Sequence, residues 1–335
     1  MKQLRVVQIS ESAFTVQGHG VHTAYVETVK GLEHCDDVQV QTNSFAPADI
    51  RHIHTVGPYS LLQLLRPGRK VISGHVVPAS FVGSLVGAKY WLWAATLYLR
   101  WFYNRAAVVI AVSDATKREL ERIGVRSRIE VIYNMIDTSA YASTDVERAA
   151  LRTKLGIAVG EVVVTSNGQV QPRKRVDTFL RIASEFPNLR FIWIGGMPFG
   201  KTAADHSAMQ KLVDTAPENV TFTGVVPLSA VREYFVASDI FVSTSEQETF
   251  GIAIVEAAAA GNPIVLRDIA DYDQTFRPDA VMCDERAFPD AIARLVDDTS
   301  YYDEMRHHAA ALAERYDSKT IARQLVDIYR SCLDD

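Results

Sequence analysis

The stretch SEQETFGIAIVEAAAAGNPIVLRD (residues 245–268) predicts a repeating unit of strand, helix and strand. It begins where the apolar run IFVSTS (240–245) ends, continues as a helix-forming segment, and stops at Gly261. Pro263 then opens a second short apolar run, which is typical of a buried strand. This order indicates parallel strands that are joined by a crossover helix.

Similar apolar runs recur along the chain, and helical stretches separate them. The candidate strands are 4–10, 38–42, 50–55, 70–75, 107–113, 129–134, 161–167, 190–196, 220–224, 240–245 and 263–268. We therefore predict the α/β class with two doubly wound, Rossmann-like domains. The length of 335 residues also suits two domains of ordinary size.

The boundary is expected in residues 137–157, where Ser, Thr and charged residues replace the apolar runs. We predict domains at 1–148 and 149–315, and a C-terminal helix in 316–335 that packs back on the first domain or caps either one. Ligands of parallel sheets bind outside the carboxyl ends of the strands. The two domains are therefore expected to face a central cleft lined by strand-end loops.

The composition, 48% hydrophobic and 22% charged, is that of a globular protein. Residues 1–150 carry 16 Lys+Arg against 13 Asp+Glu, and the remainder carries 19 against 27, so no uniform basic stripe predicts nucleic-acid binding. Three cysteines without a C-x-x-C pair indicate a reducing compartment and argue against structural zinc. The first residues lack a signal-peptide core, so we predict a cytoplasmic protein.

An aromatic segment covers residues 88–113 and is expected to be aromatic on every helical face. It contains Trp91, Trp93 and Trp101 together with Arg100 and Arg105. Aromatic rings beside cations suit the interface of an anionic membrane. The alternative is a buried helix of the first domain, and the two interpretations agree if one face is buried and the other exposed.

Histidines 19, 22, 52, 54 and 75 all lie in the first half of the chain. We expect His52 and His54 to point to opposite faces of a strand, and we predict no metal site. His75 ends the candidate strand VISGH and is expected to face the cleft.

The 245–268 stretch also contains the candidate ligand-binding groups. The amides of Phe250, Gly251 and Ile252 are expected to be free at a helix N-terminus, where the dipole favours a phosphate. Glu256, further along the helix, is able to accept two hydrogen bonds from a vicinal diol such as a ribose. Glu248 stands just before the helix, and neither carboxylate has an evident partner in the sequence.

These residues resemble the motif E-x-E-[TS]-F-G-x-x-x-x-E-A-x-A-x-G-x-P of the retaining glycosyltransferases of family four, which have the two-domain GT-B fold. The similarity extends over nearly the whole chain, in the family's order. The further segments are GHGVHTAYVETVKGL (18–32), VISGH (71–75), VIYNMIDTSAY (131–141), NGQVQPRKRVDTFL (167–180), FIWIGGMP (191–198) and the run from Asn219 to Thr249.

The resemblance implies transfer of a hexose from a nucleotide sugar, with UDP-glucose as the expected donor and with neither a cofactor nor a metal. It implies His75, Lys174 and Glu248 as catalytic residues. It implies the donor-binding residues Gly20, Gly168, Arg173, Lys174, Gly195, Val225, Glu248, Phe250, Gly251, Ile252 and Glu256.

Three positions depart from the family pattern. Gln169 stands where the family has an arginine, and Arg175 and Met135 stand where it has glycines. Arg173 or Arg175 is therefore expected to supply the missing cation.

The short first domain, the HIHTVGP segment and the aromatic helix resemble bacterial enzymes that glycosylate diacylglycerol or its monoglucoside. The expected acceptor is such a glycolipid, on the inner face of the cell membrane, with Trp91, Trp93, Arg100, Trp101 and Arg105 on the membrane and acceptor side. The alternatives are a soluble glycosyltransferase acting on a polysaccharide or polyprenyl-linked glycan, a sugar-nucleotide-binding or epimerising protein, and a non-enzymatic membrane-binding module. The oligomeric state is left open.

Overall fold

The computed structural model describes residues 3–14, 20–81, 87–197 and 205–334. The first elements are β1 (Leu4–Ile9), α1 (Gly20–Glu33), β2 (Val38–Thr42), β3 (Ile50–Ile53), α2 (Pro58–Leu64), β4 (Arg69–Ser73), α3 (Pro78–Phe81), α4 (Ala88–Tyr103), β5 (Val108–Ala111), α5 (Asp114–Arg122) and β6 (Arg128–Val131). The others are α6 (Asp145–Lys154), β7 (Val163–Asn167), α7 (Val176–Glu185), β8 (Arg190–Ile194), α8 (His206–Asp214), β9 (Val220–Phe222), α9 (Leu228–Ala237), β10 (Ile240–Ser243), α10 (Ile252–Ala259), β11 (Ile264–Arg267), β12 (Val281–Cys283), α11 (Phe288–Asp297), α12 (Thr299–Arg315) and α13 (Ser318–Asp334).

The described residues divide into two compact units. The first contains the residues up to 137 together with 316–334, and the second contains 138–315. Each unit has one six-stranded, wholly parallel sheet, in the orders β2-β1-β3-β4-β5-β6 and β12-β11-β10-β7-β8-β9. The predicted α/β class with two doubly wound sheets is confirmed. Among the described strands, β12 alone was not predicted; it is a three-residue run that pairs with β11 at the sheet edge.

The second sheet reverses its strand order between β7 and β10. The chain proceeds outward from β7 through β8 to β9 and then returns to place β10 on the other side of β7. Loops that follow β7 and β10 therefore leave the sheet in opposite directions, which opens a crevice at their carboxyl ends. The first sheet has the corresponding reversal between β1 and β3.

The boundary between the units lies after residue 137, within the expected segment 137–157 and ahead of the domain limit drawn at 148. The cause is α6, which is capped by the Thr144 side chain and belongs to the second unit. Its Arg148 donates to the carbonyls of Val236 and Ser238 and pairs with the Asp239 carboxylate at 2.6 Å. The arginines of this charged segment therefore anchor a helix on the second unit.

The C-terminal helix α13 belongs to the core of the first unit. Ile321, Leu325 and Tyr329 are buried against residues of β1, β3 and β4 and against Met135. A Cβ on Gly31 of α1 would lie 2.6 Å from the Met135 sulfur, so the glycine leaves the space that this methionine fills. Met135, where the family has a glycine, is therefore a packing residue.

Helix α4 has one buried and one exposed face. Leu99, Phe102 and Tyr103 are buried in the first unit, whereas Trp93 is 69% and Trp101 43% exposed. Aromatic rings therefore lie on both the buried and the exposed face of α4, which ends at Tyr103 before a separate buried strand, β5. Among the described residues, no helix combines the length and the apolar character that crossing a membrane requires.

Candidate active site

A buried ion pair joins the loops that follow β7 and β10. The Lys174 ammonium contacts Glu248 Oε1, and Arg173 lies 3.6 Å from Glu248 Oε2. The sequence analysis selected these residues separately, and the structure brings them together at the strand-order reversal of the second sheet.

Hydrogen bonds hold the two loops together on both sides of the pair. The Thr244 hydroxyl donates to the Lys174 carbonyl at 2.8 Å, and the Arg173 guanidinium donates to the Gln247 carbonyl at 3.0 Å. The Glu248 amide donates to the Asp271 carboxylate at 2.9 Å. No sequence pattern pointed to Asp271, because it lies outside every motif quoted above.

Burial and the neighbouring opposite charge shift the pKa values of Lys174 and Glu248 in opposite directions. Burial by itself raises the pKa of Glu248, but the charges of Lys174 and Arg173 outweigh it and lower that pKa overall. Burial and the neighbouring Arg173 lower the pKa of Lys174, while Glu248 opposes the change. Glu248 is therefore ionised, and its charge is neutralised locally by Lys174.

Two glycines let the backbone approach the ion pair closely. Gly168 has φ +143°, and a Cβ there would meet the Lys174 side chain at 3.0 Å. Gly195 has φ +134°, and its Cβ would lie 2.2 Å from the Gly168 carbonyl oxygen, which also accepts a hydrogen bond from the Trp193 indole at 2.9 Å. Gly195 thus acts by excluding any side chain from the loop that positions Lys174.

The structure separates the roles of the two candidate arginines. Arg175, at φ +51°, pairs with Asp177 at 2.9 Å, with Glu285 at 3.0 Å and with Glu246. Its hydrogen bond and charge interactions with Asp177 and Glu246 raise its pKa. Its charge is already balanced by three carboxylates, so Arg173 beside Lys174 is the better placed cation.

The predicted helix N-terminus is present at α10. Gly251, at φ +92°, is the N-cap, and Ile252 is the first helical residue. Their two amides donate no hydrogen bond to another residue that the structure describes. Phe250 is buried and packs against the ring of Phe276 at 5.5 Å, so its side chain anchors the loop.

Glu256 has a partner that the sequence analysis missed. Its Oε1 accepts a 2.7 Å hydrogen bond from the Tyr141 hydroxyl, and its side chain is buried. Tyr141 ends a 3₁₀ turn, Thr138–Tyr141, that packs on α10. It stands at the end of the quoted VIYNMIDTSAY segment, but an aromatic residue seven positions after an asparagine does not by itself reveal a carboxylate partner.

His75 lies in the first unit, within a cluster of buried histidines. The rings of His52 and His54 are 4.2 Å apart between centroids, and His54 Nδ1 is 3.2 Å from His75 Nε2. The expectation that His52 and His54 point to opposite faces is wrong, because residues two apart lie on the same face of a strand.

The remaining predicted residues are less informative. Gly20 is the exposed first residue of α1, and Val225 is 51% exposed after β9. Gly18 and His19 of the glycine-rich segment, and Pro198 of FIWIGGMP, lie outside the described residues. Among the residues that are described, no group of three His, Cys, Asp or Glu side chains is arranged to hold a metal.

Two family models and a curated relative identify the family of this chain. The model "Glycosyl transferases group 1" matches residues 147–315, and the model "Glycosyltransferase Family 4" matches residues 41–140. The alpha-galactosylglucosyldiacylglycerol synthase of Streptococcus pneumoniae is 34% identical over 81% of this chain and 74% of its own length. This chain belongs to the family 4 glycosyltransferases.

Two further proteins extend the comparison. The processive diacylglycerol alpha-glucosyltransferase of Acholeplasma laidlawii is 25% identical to this family 4 chain, with 83% of each chain covered. Anabaena HepE, solved in complex with UDP-glucose, superposes with a TM-score of 0.77 at 20% identity, covering 98% of this chain and 100% of HepE. The HepE similarity supports the GT-B fold.

The glycine at residue 195 gives a direct test of the close approach at this site. Gly195→Ala is expected to cost at least about 3 kcal/mol of folding free energy, because a Cβ would overlap the Gly168 carbonyl and no rotamer can move it away. The measurement is urea denaturation with hydrogen exchange of β7 and β8.

Gly224→Ala is the matched control. Gly224 also has a positive φ, +67°, but no atom lies within 4 Å of its added Cβ. The Gly224→Ala substitution is expected to lower the folding free energy by only about 1–2 kcal/mol, which is the strain of an alanine in the left-handed conformation. Equal losses in the two variants would contradict the role assigned to Gly195.

Proposed function

We propose that this glycosyltransferase moves a hexose, glucose in the first instance, from a UDP-sugar to a membrane glycolipid such as glucosyl-diacylglycerol, with retention at the anomeric carbon. The observation that carries the proposal is the Lys174–Glu248 pair at the strand-order reversal of the second sheet, next to the N-terminus of α10. Cations, a helix dipole and a carboxylate at one strand-end crevice suit a sugar diphosphate.

The donor is assigned to the second unit. Lys174 and Arg173 face the diphosphate, to which the Gly251 and Ile252 amides also donate. Glu256 holds the ribose hydroxyls, with Tyr141 fixing one of its carboxylate oxygens. Glu248 lies against the transferred sugar, and the catalytic role expected of His75, in the first unit, stays a prediction.

The reaction needs charge stabilisation at the leaving group. The acceptor hydroxyl oxygen forms a bond to the anomeric carbon while the bond from that carbon to the diphosphate oxygen breaks, and the hydroxyl proton passes to the departing UDP. Both new and broken bonds lie on the same face of the sugar ring. Negative charge accumulates on the diphosphate in the oxocarbenium-like transition state, where Lys174 and Arg173 stabilise it without a metal.

The names of these two relatives support a lipid acceptor, since both describe the synthesis of glycosylated diacylglycerol. The surface of the first unit supports it as well. Tyr90, Trp93, Leu97 and Trp101 follow one another on the exposed side of α4 at helical spacing, and Arg105 stacks on the Trp101 ring at 4.8 Å.

The charges around α4 fit an anionic bilayer. The sequence has no Asp or Glu between Asp49 and Asp114, whereas it has seven Lys and Arg there. Leu62 and Leu65 of the α2 region are also exposed, and Arg66 stacks over the Phe45 ring at 5.6 Å. Exposed apolar side chains beside cations such as Arg66 and Arg105 are what an interfacial surface requires.

A transfer assay tests the function directly. Purified protein is incubated with UDP-glucose and glucosyl-diacylglycerol in phosphatidylcholine vesicles, with and without phosphatidylglycerol. We expect a diglucosyl lipid with an α linkage, formed faster on the anionic vesicles because the charged surface concentrates the enzyme. Product analysis by NMR gives the anomeric configuration.

Lys174→Met and Glu256→Gln are the controls, and both are expected to abolish transfer. Absence of product on both kinds of vesicle would refute the lipid acceptor. A β linkage would refute retention, and product with a soluble glycan instead would establish the soluble alternative.

The contributions of Arg173 and Arg175 to donor binding can be distinguished by substitution. Arg173→Ala is expected to weaken UDP-glucose binding about 10- to 100-fold, since a charge-assisted hydrogen bond is lost. Adding Gln169→Arg to that variant should restore part of the affinity, because it places a cation where the family has one. Isothermal titration calorimetry measures both effects.

Arg175→Gly is the matched control, because glycine accepts the φ of +51° without strain. Its affinity for UDP-glucose should stay within about threefold of the wild type while its stability falls with the loss of three ion pairs. A loss of affinity in this variant, with Arg173→Ala unaffected, would reverse the assignment.

The role of the exposed face of α4 in membrane binding is tested with the double variant Trp93→Ser/Trp101→Ser. Each ring is expected to contribute about 1–2 kcal/mol on entering the interface, so binding to anionic vesicles should fall at least about tenfold in a sedimentation assay. UDP-glucose binding should not change. Val159→Ser, at a fully exposed valine of the second unit, is the control and should bind vesicles normally; equal losses would contradict the assigned surface.

A further inference from the structure

Glu256 accepts a hydrogen bond from a turn that lies 115 positions earlier in the chain. The Tyr141 hydroxyl donates to Glu256 Oε1 at 2.7 Å, and Glu256 is only 5% exposed. Tyr141 is the last residue of the 3₁₀ turn Thr138–Tyr141, which packs on α10. Both residues belong to the second unit, so the contact is internal to that unit.

The plane of the Glu256 carboxylate needs a donor of this kind. The last side-chain torsion of glutamate is broad, because it joins a tetrahedral carbon to a planar one. The backbone of α10 therefore fixes where the side chain begins but leaves the plane of its two oxygens open. Hydrogen bonds to a carboxylate are among the stronger ones in proteins, so the Tyr141 hydroxyl restricts this rotation.

A guanidinium holds the turn on both sides of Tyr141. Arg232, in the middle of α9, donates to the carbonyl of Ala140 and, at 3.0 Å, to the carbonyl of Ala142. The same guanidinium pairs at 2.8 Å with Glu147, in the first turn of α6. The planar fork of arginine presents several N–H groups in fixed directions. One side chain therefore determines the path of the backbone before and after Tyr141.

A vicinal diol places a strict demand on a carboxylate. Its two hydroxyls donate one to each oxygen only when the plane of the carboxylate is aligned with the diol. A rotated carboxylate keeps one of these hydrogen bonds and loses the other. For the ribose of a nucleotide, the orientation of Glu256 therefore decides whether one or two hydroxyls are recognised.

We propose that Tyr141 and Arg232 are positioning residues for Glu256. Arg232 holds the turn, and the Tyr141 hydroxyl fixes the carboxylate plane to which both ribose hydroxyls of the nucleotide donate. This proposal rests on the proposed function for the ribose contact. Both residues act on affinity through Glu256, and together they determine the preference for a ribonucleotide over a deoxyribonucleotide.

A purely structural role would have a different consequence. If Tyr141 and Arg232 served only to hold the turn and α6 on α9, their loss would weaken every donor ligand by the same factor. If they position Glu256, their loss weakens only the ligands that carry ribose hydroxyls. Two nucleotides that differ in these hydroxyls alone therefore separate the two roles.

Isothermal titration calorimetry of the full chain makes this comparison without any turnover. UDP carries both ribose hydroxyls, and 2′,3′-dideoxy-UDP carries neither but has the same base and diphosphate. We expect the wild type to bind UDP at least about 30-fold more tightly, since the analogue lacks two hydrogen bonds to a carboxylate. The stoichiometry of each titration reports the folded fraction of the protein.

Tyr141→Phe keeps the ring and removes only the hydroxyl. Its affinity for UDP is expected to fall about three- to tenfold, because the carboxylate is no longer aligned with both ribose hydroxyls. Its affinity for the dideoxy analogue should change by less than about twofold. Tyr302→Phe is the matched control, since it removes another hydroxyl of the second unit, one that donates to the Asp239 carbonyl at 3.0 Å. Both of its affinities should equal those of the wild type.

Arg232→Gln releases the turn, and its affinity for UDP is expected to fall about two- to fivefold while that for the dideoxy analogue is unchanged. Because Arg232 acts through Tyr141, adding Arg232→Gln to Tyr141→Phe should cause no further loss, which a double-mutant cycle measures. Lys154→Gln is the control. Lys154 pairs with Glu233 of α9 at 2.6 Å from the other end of α6, and this variant should bind UDP normally.

The outcomes distinguish this proposal from the proposed function. Equal wild-type affinity for UDP and its dideoxy analogue would refute the ribose contact of Glu256 and the positioning roles with it. A wild-type preference that persists in Tyr141→Phe would overturn the positioning role and leave the proposed function standing.

Three further results bear on the same roles. Equal weakening of both nucleotides in Tyr141→Phe, or a selective loss in Tyr302→Phe, would contradict the assignment to Tyr141. Additive losses in the double variant would contradict the action of Arg232 through Tyr141. The expected affinities without glycolipid product in the transfer assay would support the positioning roles and refute the acceptor alone.

Discussion

The ion pair between Lys174 and Glu248 is the interaction on which the second unit depends. It places opposite charges in a buried crevice that exists because the strand order reverses between β7 and β10. Neither charge is tolerable there without the other. The surrounding structure follows from this requirement: Gly168 and Gly195 bring the backbone close to the lysine, and Thr244 joins the two loops.

The first unit uses a different constraint at its own strand-order reversal. Neutral histidines replace charges there, and burial maintains their neutrality. Polar side chains from β1, β3 and β4 can be buried together because Tyr329 of α13 satisfies them from the opposite side. The same fold thus supplies a charged crevice in one unit and an uncharged hydrogen-bonding cluster in the other.

Sequence patterns predicted the strands well where the runs were long and apolar. They failed at β12, which is too short to show an alternation of apolar and polar residues. They also failed at α6, because Arg148 and Arg152 resemble solvated surface charges in the sequence and their acceptors on residues 236–239 are visible only in the structure. The site residues followed from the motif, because the E-x-E-[TS]-F-G stretch is local. Their partners Asp271 and Tyr141 did not, because each contacts the motif from a distant position in the sequence.

Residue patterns were enough to predict the fold class and the family and to nominate Lys174, Glu248 and Glu256 as site residues, because periodicity and short motifs are local properties. The different surroundings of Arg173 and Arg175 appear only in the folded chain, since they depend on which carboxylates lie beside each guanidinium. Only the structure placed His52 and His54 beside His75 and joined them to Tyr329, which lies 277 positions after His52. Such pairings arise from the packing of elements that are remote in sequence, and no local pattern records them.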